Sequence, residues 1–132
     1  MPAALAKPTK QSSTRPTEPA IDVAHLERMT FGEKGLEGEV LRLFDRQAGM
    51  LLARIQAASP EAVTSFAHTL KGSARGIGAW QVAKAAEAVE LAAGVGDAAA
   101  LRGEFKTLAA AVAAARAAIT ELLRAPVTQR RS

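Results

Sequence analysis

Leu101, Phe105, Leu108, Val112, Ala115, Ile119 and Leu122 follow one another at intervals of four and three, with no proline among them. A helix turns by about 100° per residue, so this alternation lays all of them along one stripe. A strand would need alternation by two, which the segment lacks. The spacing predicts a helix over about 98–124 with an a/d seam that must be covered. Either a second copy covers it, as in a coiled coil, or other helices of the same chain do. Three further amphipathic stretches lie upstream, and each needs a partner face of its own. Packing within the chain satisfies all of them together, so an intramolecular bundle is expected.

Those stretches have readable ends. Asp22 can cap a short helix from Val23 to about Met29. Thr30 and Glu33 stand at capping-box spacing, but Gly32, Gly35 and Gly38 weaken any helix there, so a loop is predicted near 30–35. A long helix then runs to about Ala57, with Leu36, Val40, Leu43, Phe44, Leu51 and Ile55 as its apolar positions. Ser59-Pro60 restarts the chain: serine caps, and proline takes the first helical position. The third helix carries Val63, Ala67, Leu70 and Ala74 on one face and should end at Gly76 and Gly78. A fourth runs from near Ala79 to about Ala93, closed by Gly94 and Gly96, and Asp97 caps the last. Short connections between long helices make neighbours antiparallel. The expected fold class is all-α: an antiparallel up-down four-helix bundle over residues 21–124, with a short N-terminal helix.

Residues 1–20 hold Pro2, Pro8, Pro16 and Pro19 among Ser, Thr and Lys, and read as a disordered leader. Residues 125–132 read as a disordered basic tail. Both matter to the charge. The formal net charge is +4, but each tail carries half of that excess, which leaves 21–124 neutral. The body has no surplus with which to hold a phosphate backbone, and no nucleic-acid role is expected. No apolar run approaches the roughly 20 residues that span a bilayer, and the N-terminus lacks the pattern of a signal peptide. A membrane role is not expected, and the cytoplasm is the expected location. There is no cysteine, so disulfides and thiolate metal sites are excluded. His25 and His68 are far apart, and no Glu-x-x-His pair occurs, so metal and haem readings lack ligands.

The chemistry concentrates in "AHTLKGSARGIGA", residues 67–79. With His68 at zero on a helical wheel of about 100° per residue, Thr64 falls near −40°, Glu61 near +20°, Lys71 near −60°, Gly72 near +40° and Arg75 near −20°. The apolar set lies opposite, so His68 is predicted on the solvent face. A core histidine does not fit that position; a plain surface histidine does. Gly72 weakens the helix by roughly 1 kcal/mol relative to alanine. Helical side chains lean toward the N-terminus, so a side chain at 72 would lie across the His68 ring. Glycine leaves the imidazole open to a large partner; the other explanation is close helix packing, which its polar face disfavours. A neutral imidazole, titrating at about 6.5 when unperturbed, is a nucleophile near neutral pH. Lys71 and Arg75 could stabilise an added phosphoryl group. The Gly-rich run has no preceding strand and so is no nucleotide phosphate loop. The chain can receive a phosphoryl group but has no motif for taking one from ATP.

His68, Leu70, Lys71, Gly72, Gly78 and Ala79 together resemble the signature of histidine-containing phosphotransfer (HPt) domains. The resemblance extends over 21 to about 124, with Asp22 and Leu26 fitting the family's short first helix and Phe44 its long second one. It implies a shuttle that carries a phosphoryl group between receiver-domain aspartates in a two-component phosphorelay, with His68 as acceptor. It also implies response-regulator receivers and hybrid histidine kinases as partners, a Mg²⁺ supplied by the receiver, and no cofactor of the chain's own. Many family members set Gln or Glu from the next helix against the histidine; by position that residue is Glu90, which could accept the Nδ1 proton and leave Nε2 as nucleophile, or be a solvated surface glutamate. Arg75 departs from the small residues common there. It could add phosphate affinity or select among receivers. Two alternatives stay open: the phosphoryl-accepting domain of a chemotaxis-type histidine kinase, and a receiver-binding module without phosphotransfer. A monomer is expected.

Overall fold

The computed structural model describes residues 18–124, so the expectations for the leader up to residue 17 and for the tail lie outside the described residues. Five helices follow in order: α1 Val23–Met29, α2 Lys34–Ala57, α3 Pro60–Ile77, α4 Trp80–Val95 and α5 Ala98–Arg124. No strand occurs among the described residues. The four long helices close a ring: α2 packs on α3 and α5, α4 packs on α3 and α5, and α1 lies against α3.

The core is built from one stripe of each long helix. On α5 the seam places Leu108, Val112, Ala115 and Ile119 fully inside, while Leu101, Phe105 and Leu122 pack partly buried at its ends. On α3 the buried set is Val63, Ala67, Leu70, Ala74 and Ile77. Each large aliphatic side chain so buried contributes roughly 1.5–3 kcal/mol. The α5 seam is thus covered by the chain's own helices.

α2 corrects the expected stripe. Its buried line is Glu37, Leu41, Phe44, Ala48, Leu51 and Ile55, a regular three–four alternation. Leu36 and Leu43 fall beside that line and are exposed. The helix also begins at Lys34, so Gly35 lies inside it rather than in the loop, and Gly38 is accommodated within its second turn. Thr30 does not cap α2. It closes α1, and its hydroxyl donates back to the Leu26 carbonyl at 2.9 Å. Glu37 is fully buried with Lys34 Nζ at 3.4 Å, so a charged pair sits at the head of the apolar stripe.

The caps divide into those made by side chains and those made by backbone alone. Asp22 accepts from the His25 N–H at 3.1 Å, and Asp97 from the Ala100 N–H at 3.0 Å. Ser59 makes no side-chain cap; α3 starts instead on Pro60 and on the bond from the Val63 N–H to the Ser59 carbonyl. Glycines close α3 and α4 by adopting left-handed backbone, Gly78 at φ 83° and Gly96 at φ 74°. Gly76 and Gly94 are inside their helices, which therefore run slightly further than the glycine pairs suggest.

Gly78 is the tightest point of the fold. Its carbonyl accepts from the Asp22 N–H at 2.9 Å. A Cβ at Gly78 would meet Asp22 Cβ and the Asp22 carbonyl oxygen at 3.0 Å. Asp22 also accepts from Trp80 Nε1 at 2.9 Å, and the Trp80 ring meets His25 edge-on, centroids 4.8 Å apart. These bonds, Trp80 first, hold the Asp22 carboxyl below the usual aspartate range. Gly78→Ala should cost at least the roughly 1–2 kcal/mol of left-handed backbone for an L-residue. Chemical denaturation should show this loss, and an unchanged midpoint would disprove the α1–α3–α4 knot.

Candidate functional site

The stripe that buries Leu70 and Ala74 forces His68 outward. Its side chain is 67% exposed, on the face opposite the core. Nδ1 stands 3.0 Å from Glu90 Oε2, contributed by α4. Nε2 has no partner among the described residues. A carboxylate only accepts, so Nδ1 carries the proton, and in the neutral ring Nε2 keeps its lone pair. The ring thus turns Nε2 to the open side of the site.

Glu90 serves two groups. Its second oxygen, Oε1, lies 2.9 Å from Lys71 Nζ, an ion pair set off the axis of an ideal hydrogen bond. Lys71's ammonium first, and then the His68 N–H, holds the Glu90 carboxyl below the ordinary glutamate range. A lowered carboxyl pKa means that the arrangement is complete above the ordinary glutamate value of 4.5 and is lost as the pH falls through the lower folded value. At neutral pH the acceptor is therefore fully ionised.

The remaining predicted residues are placed differently. Lys71 shares the polar side of the wheel with His68 but does not face solvent: its side chain is only 14% exposed and is drawn toward Glu90 of α4. Arg75 is exposed, but its guanidinium lies 3.9 Å from Glu87 and makes no contact with His68. Gly72 borders open space, and a Cβ there would meet nothing within 4 Å. Close helix packing therefore does not explain this glycine.

Glu87 was not singled out from the sequence, although its place one turn before Glu90 on α4 puts it opposite Arg75. The Asp22–Trp80–His25 cluster was missed as well. It joins residues 58 positions apart, and no local pattern announces such a contact.

Gly72→Ala should keep or raise the melting temperature, since alanine is favoured in a helix by about 1 kcal/mol. Gly72→Gln should remain folded and slow chemistry at His68 far more than alanine does, because its side chain leans over the ring. Melting curves and transfer rates on both variants decide. A folded glutamine variant with unchanged transfer would remove the access explanation.

A family model for the Hpt domain matches residues 39–123. That span covers α3 and α4 whole, nearly all of α2 and α5, and every residue of the His68 site. Comparisons with curated proteins and with solved structures gave no match. Among the described residues, no helix is long and apolar enough to cross a membrane. With a helical bundle, an outward histidine and a family match over most of the chain, the protein belongs to the Hpt domain family, whose members perform histidine phosphotransfer in phosphorelay signalling through contact with receiver domains.

Proposed function

We propose that this protein carries a phosphoryl group between receiver-domain aspartates, with His68 as the acceptor. The observation that carries this reading is the unpartnered Nε2 on an exposed ring whose Nδ1 is held by Glu90. The Nε2 lone pair attacks the phosphorus of a receiver's aspartyl phosphate. The P–N bond forms, the P–O bond breaks, and the aspartate leaves as a carboxylate. The Nδ1 proton stays between ring and Glu90, which offsets the positive charge on the phosphorylated imidazole. Transfer to the next receiver reverses these steps. In-line phosphoryl transfer depends mainly on positioning and charge stabilisation. The receiver brings the Mg²⁺, and hybrid kinases feed the relay.

An apolar groove further along α3 offers a protein-sized partner a second area of contact. Met29, Leu36 and Leu43 are exposed and line one groove with Gly76. On a wheel of about 100° per residue Gly76 falls on the same side of His68 as Gly72, so bare backbone runs from the ring toward this groove. The site acts within a cytoplasmic monomer. Light scattering should give one chain per particle across concentrations, whereas a dimer broken by Leu108→Asp without unfolding would place the α5 seam between subunits.

Incubation with a phosphorylated receiver should give an acid-labile, base-stable label. His68→Gln should abolish it and His25→Gln should not. Label that persists in the His68 variant would sink the assignment. Lack of label in the wild type with every receiver of the same genome would favour a module that only binds.

A further inference from the structure

Arg75 of α3 and Glu87 of α4 face each other in a way that serves the fold little. Their charged atoms stand 3.9 Å apart, beyond hydrogen-bond reach, and the two side chains are 56% and 48% exposed. Exposed pairs of this kind add little to stability. Neither side chain has another partner among the described residues. Two charges that are neither buried nor bonded stay available to a third body.

Their position decides which body that is. Arg75 comes seven residues after His68, about 10 Å along α3 and about 20° around it. Its side chain leans back toward the acceptor. Glu87 comes three residues before Glu90, about 4.5 Å along α4, and the Glu90 carboxylate lies 3.0 Å from the His68 ring. A protein that brings phosphorus to Nε2 must lie against this surface. A standard interface covers about 800 Å² of each partner, a disc of about 16 Å radius. Centred on His68, such a disc takes in both charges. Covering them removes the water that solvates them. A partner with a carboxylate for Arg75 and a cation for Glu87 replaces that water, and one with like charges there is repelled.

We propose that Arg75 and Glu87 are specificity-determining residues that select the receiver. The receiver they favour carries an acidic side chain opposite Arg75 and a basic one opposite Glu87. Neither residue takes part in the chemistry at Nε2. This rests on the reading of His68 as an acceptor served by receivers.

The test exchanges the two charges, Arg75→Glu together with Glu87→Arg. The pair within the protein is kept, and the pattern shown to a partner is reversed. Wild type and exchange variant are assayed for binding and for transfer against the receivers of the same genome, at low and at high salt. His68 is also labelled with phosphoramidate, a small donor that needs no docking face. The exchange should leave the melting temperature and the phosphoramidate labelling rate unchanged. It should lower the association rate with the receiver that wild type prefers by about tenfold or more at low salt, less at high salt, and should change which receiver is preferred. Arg75→Gln alone should give a smaller loss of the same kind. The proposal is overturned if the exchange variant keeps wild-type rates and the same order of receivers, or if its loss does not respond to salt. It is overturned equally if phosphoramidate labelling slows as much as transfer does, as a role at the acceptor itself requires. Receivers that bind in the expected order without labelling His68 would remove the phosphotransfer reading alone. If no receiver binds the wild type, both readings fall.

Discussion

The register between α3 and α4 is the constraint on which the site depends. His68 lies ten residues before Gly78 and Glu90 twelve after it, so the two meet only if the chain reverses at that point. Gly78 makes the reversal possible with its left-handed backbone, and the buried Ala79 next to it starts the return. Lys71 with Glu90 and Arg75 with Glu87 continue the same antiparallel pairing between His68 and the turn. One residue more in the turn would rotate α4 by about 100° and carry Glu90 off the ring. The knot of Asp22, His25 and Trp80 against Gly78 therefore helps hold the geometry of a site well over two turns away.

Small side chains complete that arrangement. The core face of α4 is largely alanine: Ala83, Ala85, Ala86, Ala92 and Ala93 are buried, with Val82 and Val89 among them. α3 offers Ala67 and Ala74 in return. Helices that meet through such residues approach closely. A short carboxylate on one can then reach a ring on the other without leaving its helix. The low aromatic content, four Phe and one Trp, fits this close packing.

Much of this was legible in the sequence, for a physical reason. Long helices with a single apolar stripe declare their buried face, and so α3 and α5 match their predicted lines from Val63 to Ala74 and from Leu108 to Ile119. The outward placement of His68 follows from the same stripe. α2 was less legible because leucines outnumber the places inside: Leu36 and Leu43 compete with Leu41, and the alternation through Glu37 and Ala48 looks too polar and too small to be core. Glu90 was reached only through the family resemblance, with a solvated surface glutamate as the other reading. The inward turn of Lys71 could not be read, since it depends on a carboxylate brought in by the fold.

The glycines show where sequence reading needs the third dimension. Gly72 and Gly78 stand six residues apart in one motif and obey opposite rules. Gly78 is surrounded: its φ is positive and a Cβ would press on Asp22. Gly72 has ordinary helical backbone and empty space where a side chain would go. At the first, a side chain would strain the backbone and press on Asp22. The second weakens its helix by roughly 1 kcal/mol, and no packing contact asks for it. Gly35, Gly76, Gly94 and Gly103 also stand in helices beside open space, so what sets Gly72 apart is its place one turn from His68, whose Nε2 has no partner among the described residues.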